Sequence, residues 1–265
     1  MTDWWWAYLG LGVFVGFFSG LLGIGGGSAI VPVLAFILAA KSVAPEHVVH
    51  LALGTAVASI FFTSASSVRS HHARKAVNWR LLRALVPGVL AGTFGGALLA
   101  GELDVRVLSI AFTLFMYYLA AQMLRSGRPE PSSILPGNAA LRAIGAAIGF
   151  LASLSATAGA SLLVPFLVKR NISVHEAIGT AAAVGWAVAV AGTAGYVIAG
   201  WGLPDMPRYS VGYVYLPALA GIVIASVLSA PLGAACAHRT SGAALKKVLA
   251  VVLFALATGM LLKFL

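Results

Sequence analysis

Long apolar runs follow one another through this chain with only short charged gaps between them, at residues 48–68, 84–101, 107–124, 177–199, 211–237 and 248–262. Each is near the roughly 20 residues that a helix needs to cross about 30 Å of hydrocarbon. The period-2 alternation of a membrane barrel is absent from them. Helices are therefore the expected spanning elements, because they satisfy every backbone N–H and C=O within one segment. Composition agrees: 60% of the 265 residues are hydrophobic and 9% are charged, well outside the balance of a water-soluble domain.

The opening "MTDWWWAYLG" carries an acid and no basic stretch. It is unlike a cleaved signal peptide, and its tryptophans suit an interfacial anchor. A single cysteine, Cys236, leaves no internal disulfide to form. The net charge of +10 raises the question of nucleic acid, but the basic residues sit in gaps between apolar runs rather than along one face. That is the pattern of positive-inside bias, and no nucleic-acid partner is expected.

The chain also repeats itself. "GFFSGLLGIGGGSAIVPVL" from Gly16 is echoed by "GFLASLSATAGASLLVPFL" from Gly149, and "HLALGTA" from His50 by "HEAIGTA" from His175. This divides residues 1–265, one transmembrane domain, into a first repeat at 1–127, a Pro/Ser/Gly-rich linker at 128–138 and a second repeat at 139–265. Arg69 to Arg83, Arg125, Arg128, Arg142, Lys169, Arg170, Arg239, Lys246 and Lys247 fall in one set of gaps, whereas the alternate gaps are acidic or neutral. The gap of Arg69 to Arg83 occupies the place in the first half that Asp205 and Arg208 occupy in the second, with opposite bias. The expected architecture is an all-α polytopic membrane protein of two inverted-topology repeats, with both termini outside the cytoplasmic (inner) membrane of a bacterium.

Five glycines in "GLLGIGGGSAIVP" break an apolar stretch that carries no charge. The arms on either side, of about 15 and 13 residues, each reach roughly 20 Å. Residues 8–40 and 140–170 thus read as broken helical hairpins, each followed by three transmembrane helices, with tips at membrane depth. Non-helical backbone is tolerated there only when buried in protein or lining a wet cavity. New helices are expected at about Ser28 and Ser161, where unpaired N–H groups and the positive end of the helix dipole favour an anion. Gly25, Gly26 and Gly27 would let a ligand approach the backbone, and Ser28 could cap the helix or donate to a bound oxygen. In the second copy Thr157, Gly159 and Ser161 take the corresponding places. The competing reading is that the glycines only let helices cross closely, the role assigned to Gly88, Gly92 and Gly96 and to Gly221, Ala225, Ser229 and Gly233. A dinucleotide fingerprint is excluded: Ser28 stands where its third glycine belongs, and no strand precedes it.

These motifs resemble the TauE/SafE sulfite exporter family of membrane transporters over essentially the whole chain, carried by "SGLLGIGGGSAIVPVL", its second copy, and the paired "LGTA" and "IGTA". The resemblance implies transport of small sulfur-containing anions such as sulfite, sulfonates or sulfoacetate. The second copy departs from the family's usual glycine-rich form, reading "SATAGAS". That implies a stiffer second tip.

Thr55, Ser59 and Thr63 recur every four residues and share a helix face, and Thr180 matches Thr55 in the other half. They are either donors to an oxyanion or hydroxyls bonded back to their own helix. His50, His175 and Glu176 are candidates for proton coupling, set against a solvated place at span ends. No catalytic constellation or metal-ligand spacing stands out, so neither an enzyme nor a cofactor is expected. The expected partners are a small anionic substrate and the lipid bilayer, with a homo-oligomer left open. The leading function is secondary transport by alternating access, against an anion channel on the same scaffold or a non-transporting membrane scaffold.

Overall fold

In a computed structural model, which describes residues 4–22, 27–124, 135–237 and 242–264, the chain forms ten helices among the described residues. The first half contains α1 (Trp5–Leu22), α2 (Gly27–Ala40), α3 (Pro45–Ala73), α4 (Trp79–Glu102) and α5 (Val105–Leu124). The second contains α6 (Asn138–Ser155), α7 (Ala160–Val168), α8 (Val174–Ala199), α9 (Leu216–Ala237) and α10 (Gly242–Phe264). Five of them, α3, α4, α5, α6 and α8, are long and apolar enough to cross a membrane. Large apolar side chains such as Leu114, Leu228 and Val251 point outward, as they do when lipid is the solvent. The protein is an integral membrane protein.

Helix starts follow the local chemistry. Pro45 opens α3, where its missing N–H costs nothing. Asn78 caps α4 by accepting from Leu81 N–H at 2.9 Å, and Ser173 caps α8 by accepting from Glu176 N–H at 3.3 Å. The apolar run at 211–237 is not one helix. Gly212 turns the chain at φ +54°, so β1 (Ser210–Val211) and β2 (Val214–Tyr215) form a short antiparallel ladder and α9 begins only at Leu216.

The hairpin arms are less equal than their sequence suggests. α1 and α6 each have 18 residues, or ~27 Å, because helix continues through Trp5 and Trp6 at one entry and from Asn138 at the other. The returning arms are shorter, 14 residues in α2 and nine in α7.

Packing exchanges the two halves. α1 lies against α9, as α6 lies against α4, while α3 crosses α8 and α5 crosses α10. The exchange extends to single residues: Gly12 abuts Ile222 and Ala225, and its counterpart Gly145 abuts Leu85 and Val89. Gly88 and Gly92 lie against the α6 backbone, and Gly221 lies against Tyr8. Small residues here bring helices to backbone contact, the packing that replaces the hydrophobic effect in lipid. α3 and α8 run antiparallel, with Gly192 against Val57 and the Trp186 ring 5.8 Å from that of Phe61. One core gathers Ile30, Leu34, Leu51, Phe112 and Ile222; a second gathers Leu85, Val89, Leu163 and Val184.

Candidate functional site

The returning arms begin where the two halves meet. A Cβ placed on Gly27, the first residue of α2, would overlap the carbonyl oxygen of Ala156 at the second tip and come within 3.1 Å of Ile60. Ile60 stands near the middle of α3, and Ala158 abuts Gly185 near the middle of α8. The second tip and the start of α2 are thus in contact at mid-length of the two central helices. Gly25 and Gly26 lie outside the described residues.

Local geometry explains the second tip. α6 ends on Ala156 in the left-handed region at φ 48°, with Thr157 N–H bonded to Ala152 C=O at 3.1 Å. Gly159 then turns the chain again at φ 71° and α7 starts. Leu162 and Leu163 N–H both reach Gly159 C=O. The amides of Ala160 and Ser161 have no backbone partner among the described residues. Among the described residues Ser161 Oγ is buried without a partner, whereas Thr157 Oγ1 lies 3.1 Å from Ser155 Oγ. Ser28 and Ser161 are equivalent, each the second residue of its helix and each four residues before a proline, Pro32 or Pro165. Those prolines cannot bond the serine carbonyls, which loosens each first turn.

Beside the tips is a cavity of about 260 Å³, lined chiefly by Ser19, Thr63, Ser64, Ser67 and His71 on one wall and by Ala158, Ala160 and Ala182 on the other. A smaller space of about 30 Å³ continues between Ser19, Gly27, Ser59, Thr63 and Ser226, enough for a water molecule. His71 belongs to the end of α3 that carries Arg69 and Arg74, so the cavity extends toward the basic side. No acidic residue among the described residues lines it. Ser28 and Ser161 sit one residue beyond the lining residues Gly27 and Ala160.

The other candidate residues have varied surroundings. Ser59 Oγ donates to Ala56 C=O at 2.7 Å and Thr63 Oγ1 to Ile60 C=O at 3.2 Å, so both hydroxyls present lone pairs outward until they rotate. Thr55 Oγ1 accepts from Tyr215 N–H at 2.9 Å, and Thr180 Oγ1 from Asn78 N–H at 3.0 Å. These are the same bond in exchanged halves. Changing either threonine to valine leaves a buried N–H unsatisfied at a cost of ~1–3 kcal/mol. Denaturation midpoints should fall for both variants while anion affinity, measured on the folded fraction, holds.

His50 is buried rather than solvated. Its Nε2 lies 2.9 Å from Ala100 C=O and 3.1 Å from Leu103 C=O, and its Nδ1 lies 3.0 Å from Glu46 C=O. It stacks on Tyr213 at 4.9 Å. Tyr213 lies in the β1–β2 turn, and burial, with Glu102 adding to it, holds its phenol above the usual range. Lys41 reinforces the same end of the molecule, donating to Tyr215 Oη at 2.7 Å and to Tyr8 Oη at 3.2 Å. His175 is exposed, and Glu176 accepts from Asn78 Nδ2 at 2.6 Å. Ser67 and His71 continue the every-fourth-residue stripe of Ser59 and Thr63, the signal by which both could be found.

The family model described as "Sulfite exporter TauE/SafE" matches residues 8–260. The chain belongs to the TauE/SafE family. A "probable membrane transporter protein" of Haemophilus influenzae is 35% identical over 96% of both chains. A second relative with that description, from Methanocaldococcus jannaschii, is 26% identical over 95% of this chain and 93% of its own length. No solved structure matches. The match to these relatives runs nearly end to end, so the hairpin tips and both halves fall within the shared region.

Proposed function

We propose that the protein is a secondary transporter that moves a small sulfur-containing anion, of the sulfite, sulfonate or sulfoacetate type, across the cytoplasmic (inner) membrane of a bacterium by alternating access. The observation that carries this reading is the meeting of the second tip with the start of α2, at mid-length of α3 and α8, beside a hydroxyl-lined cavity. An anion there would lie at the first turns of α2 and α7, where amide N–H groups and the helix dipoles favour negative charge. Gly27, Ser28, Thr157, Gly159 and Ser161 form the cradle, to which Gly25 and Gly26 are assigned from the sequence alone, and Ser59 and Thr63 supply hydroxyls from α3. Thr55 and Thr180 position the helices that bear it.

Antiparallel crossing of the equivalent helices α3 and α8 supports inverted repeats, as does the exchange of contacts between halves. With the basic gaps on the cytoplasmic side, both termini lie outside and the cavity faces inward. The opposite end is tied by Lys41 to Tyr8 and Tyr215, and by His50 to the α4–α5 turn. Hollows of about 770 and 670 Å³ also lie at that end, bordered by His50 and Lys41 respectively, and the contact of the second tip with α2 between the two ends suits a carrier better than a channel. Of the three proton-coupling candidates, His50 is the most enclosed.

The test is a thermal-shift titration of the purified protein with sulfite, an organic sulfonate and sulfoacetate, since a ligand of the folded state raises apparent stability by mass action. At least one should raise the midpoint saturably. Ser161→Ala should weaken that ligand about tenfold or more, the worth of a hydrogen bond to a charged group, without lowering unliganded stability, because its hydroxyl has no partner among the described residues. Indifference to all three anions would refute the substrate class.

A further inference from the structure

On the outer surface, where α3, α4 and α8 diverge, lies a second hollow of about 740 Å³. Its walls are Val68 on α3, Leu82, Val86 and Leu90 on α4, and Ala187 and Val190 on α8, with Trp186 among them. Its polar groups are gathered at one end, where Arg69, His72 and Trp79 line the mouth. The Trp79 ring meets His72 edge-on at 5.3 Å, and both Arg69 and Trp79 are exposed.

We infer that this groove is a binding site for one anionic phospholipid, its acyl chain between α4 and α8 and its phosphate on Arg69. The dimensions fit: from Trp79 to Leu90 is eleven residues along α4, or ~16 Å, close to the ~15 Å depth of one leaflet. Charge fits as well. Arg69 is the cation at the mouth, no acidic residue among the described residues lines the hollow, and tryptophan is the residue favoured at headgroup level. Basic groups set between transmembrane helices recognise anionic headgroups over zwitterionic ones. The site is distinct from the cavity beside the hairpin tips but shares two helices with it. α8 turns Ala183, Trp186 and Ala187 to the groove and Ala181 and Ala182 to the cavity, so an occupied groove braces the wall opposite.

The test uses the whole protein reconstituted with phosphatidylglycerol or phosphatidylcholine brominated in the acyl chain, reading quenching of tryptophan fluorescence. Phosphatidylglycerol should quench at about fivefold lower mole fraction, the contribution of one basic residue near a charged headgroup. That preference should vanish in Arg69→Gln, which alters only an exposed side chain, and the phosphatidylglycerol-selective part of the quenching should shrink in Trp186→Phe. Arg106→Gln, on the opposite end, should leave the preference intact. Equal quenching by both lipids, or a preference that survives Arg69→Gln, would overturn the assignment. So would a dimer whose Trp186 is shielded from either lipid, since a second copy would then cover the groove.

Discussion

Replacing Gly27 by alanine should abolish anion flux and lower the thermal midpoint of the protein. The added methyl would overlap the carbonyl oxygen of Ala156, a backbone atom, with Ile60 close behind it. The Ile60 side chain can turn aside but the Ala156 backbone cannot, so the start of α2 and the second tip must separate. Overpacking of this kind costs ~1–3 kcal/mol in stability, and displacement of a binding group by about 1 Å can cost on the order of 100-fold in rate where geometry matters. Gly10→Ala and Gly95→Ala are the controls, since both positions are exposed and a Cβ there meets nothing within 4 Å. Both should melt at or above the parent temperature and transport normally. Thermal melts together with flux into proteoliposomes separate the two effects: a Gly27→Ala protein that melts lower but transports at the parent rate would show that contact between the tips is packing alone.

The second large effect is expected on the cavity wall. Thr63→Val and Ser67→Ala should each weaken anion binding by about ten- to a hundredfold, if each hydroxyl gives one hydrogen bond to a charged ligand worth ~1.5–3 kcal/mol. Neither should destabilise the protein much: among the described residues Thr63 bonds only back to its own helix at Ile60, and Ser67 is only partly buried. Ala182→Phe approaches the same space from α8 and should block binding by occupying it, with no loss in melting temperature because the cavity is already open. Titrations of the three variants with a sulfonate distinguish a wet binding wall from helix glue. Variants that melt lower with unchanged affinity would favour glue.

The spans were legible in the sequence because hydrocarbon admits one solution, an apolar helix of about 20 residues. The second break was legible from its register with the glycine-rich first copy: α6 ends at Ser155 and α7 begins at Ala160. The register between copies places Ser28 and Ser161 at helix starts, and α2 and α7 do begin one residue before each. What sequence could not reveal depended on partners far along the chain. Thr55 and Thr180 look like a polar lining on their own helices, yet each accepts an N–H from the other half, 160 and 102 residues away. His50 stands near a span end, where solvent is the natural expectation, but the last turn of α4 and the residue after it cover it and supply two of its carbonyl contacts. His71 sits among basic residues that mark a wet interface, and only the approach of α7 and α8 makes it part of a cavity. Arm lengths were underestimated because Trp5 and Trp6 read as an anchor ahead of the helix rather than as its first turn.

The most direct measurement is the accessibility of residue 158 in a chain carrying Ala158→Cys and Cys236→Ser. Ala158 lines the cavity at the second tip, against the middle of α8. A membrane-impermeant thiol reagent applied from the basic side should modify it, and a saturating organic sulfonate should slow the reaction at least tenfold. A cysteine that stays inert from both sides in a folded protein, or reacts equally fast with the anion present, would contradict an anion site at the meeting of the hairpins.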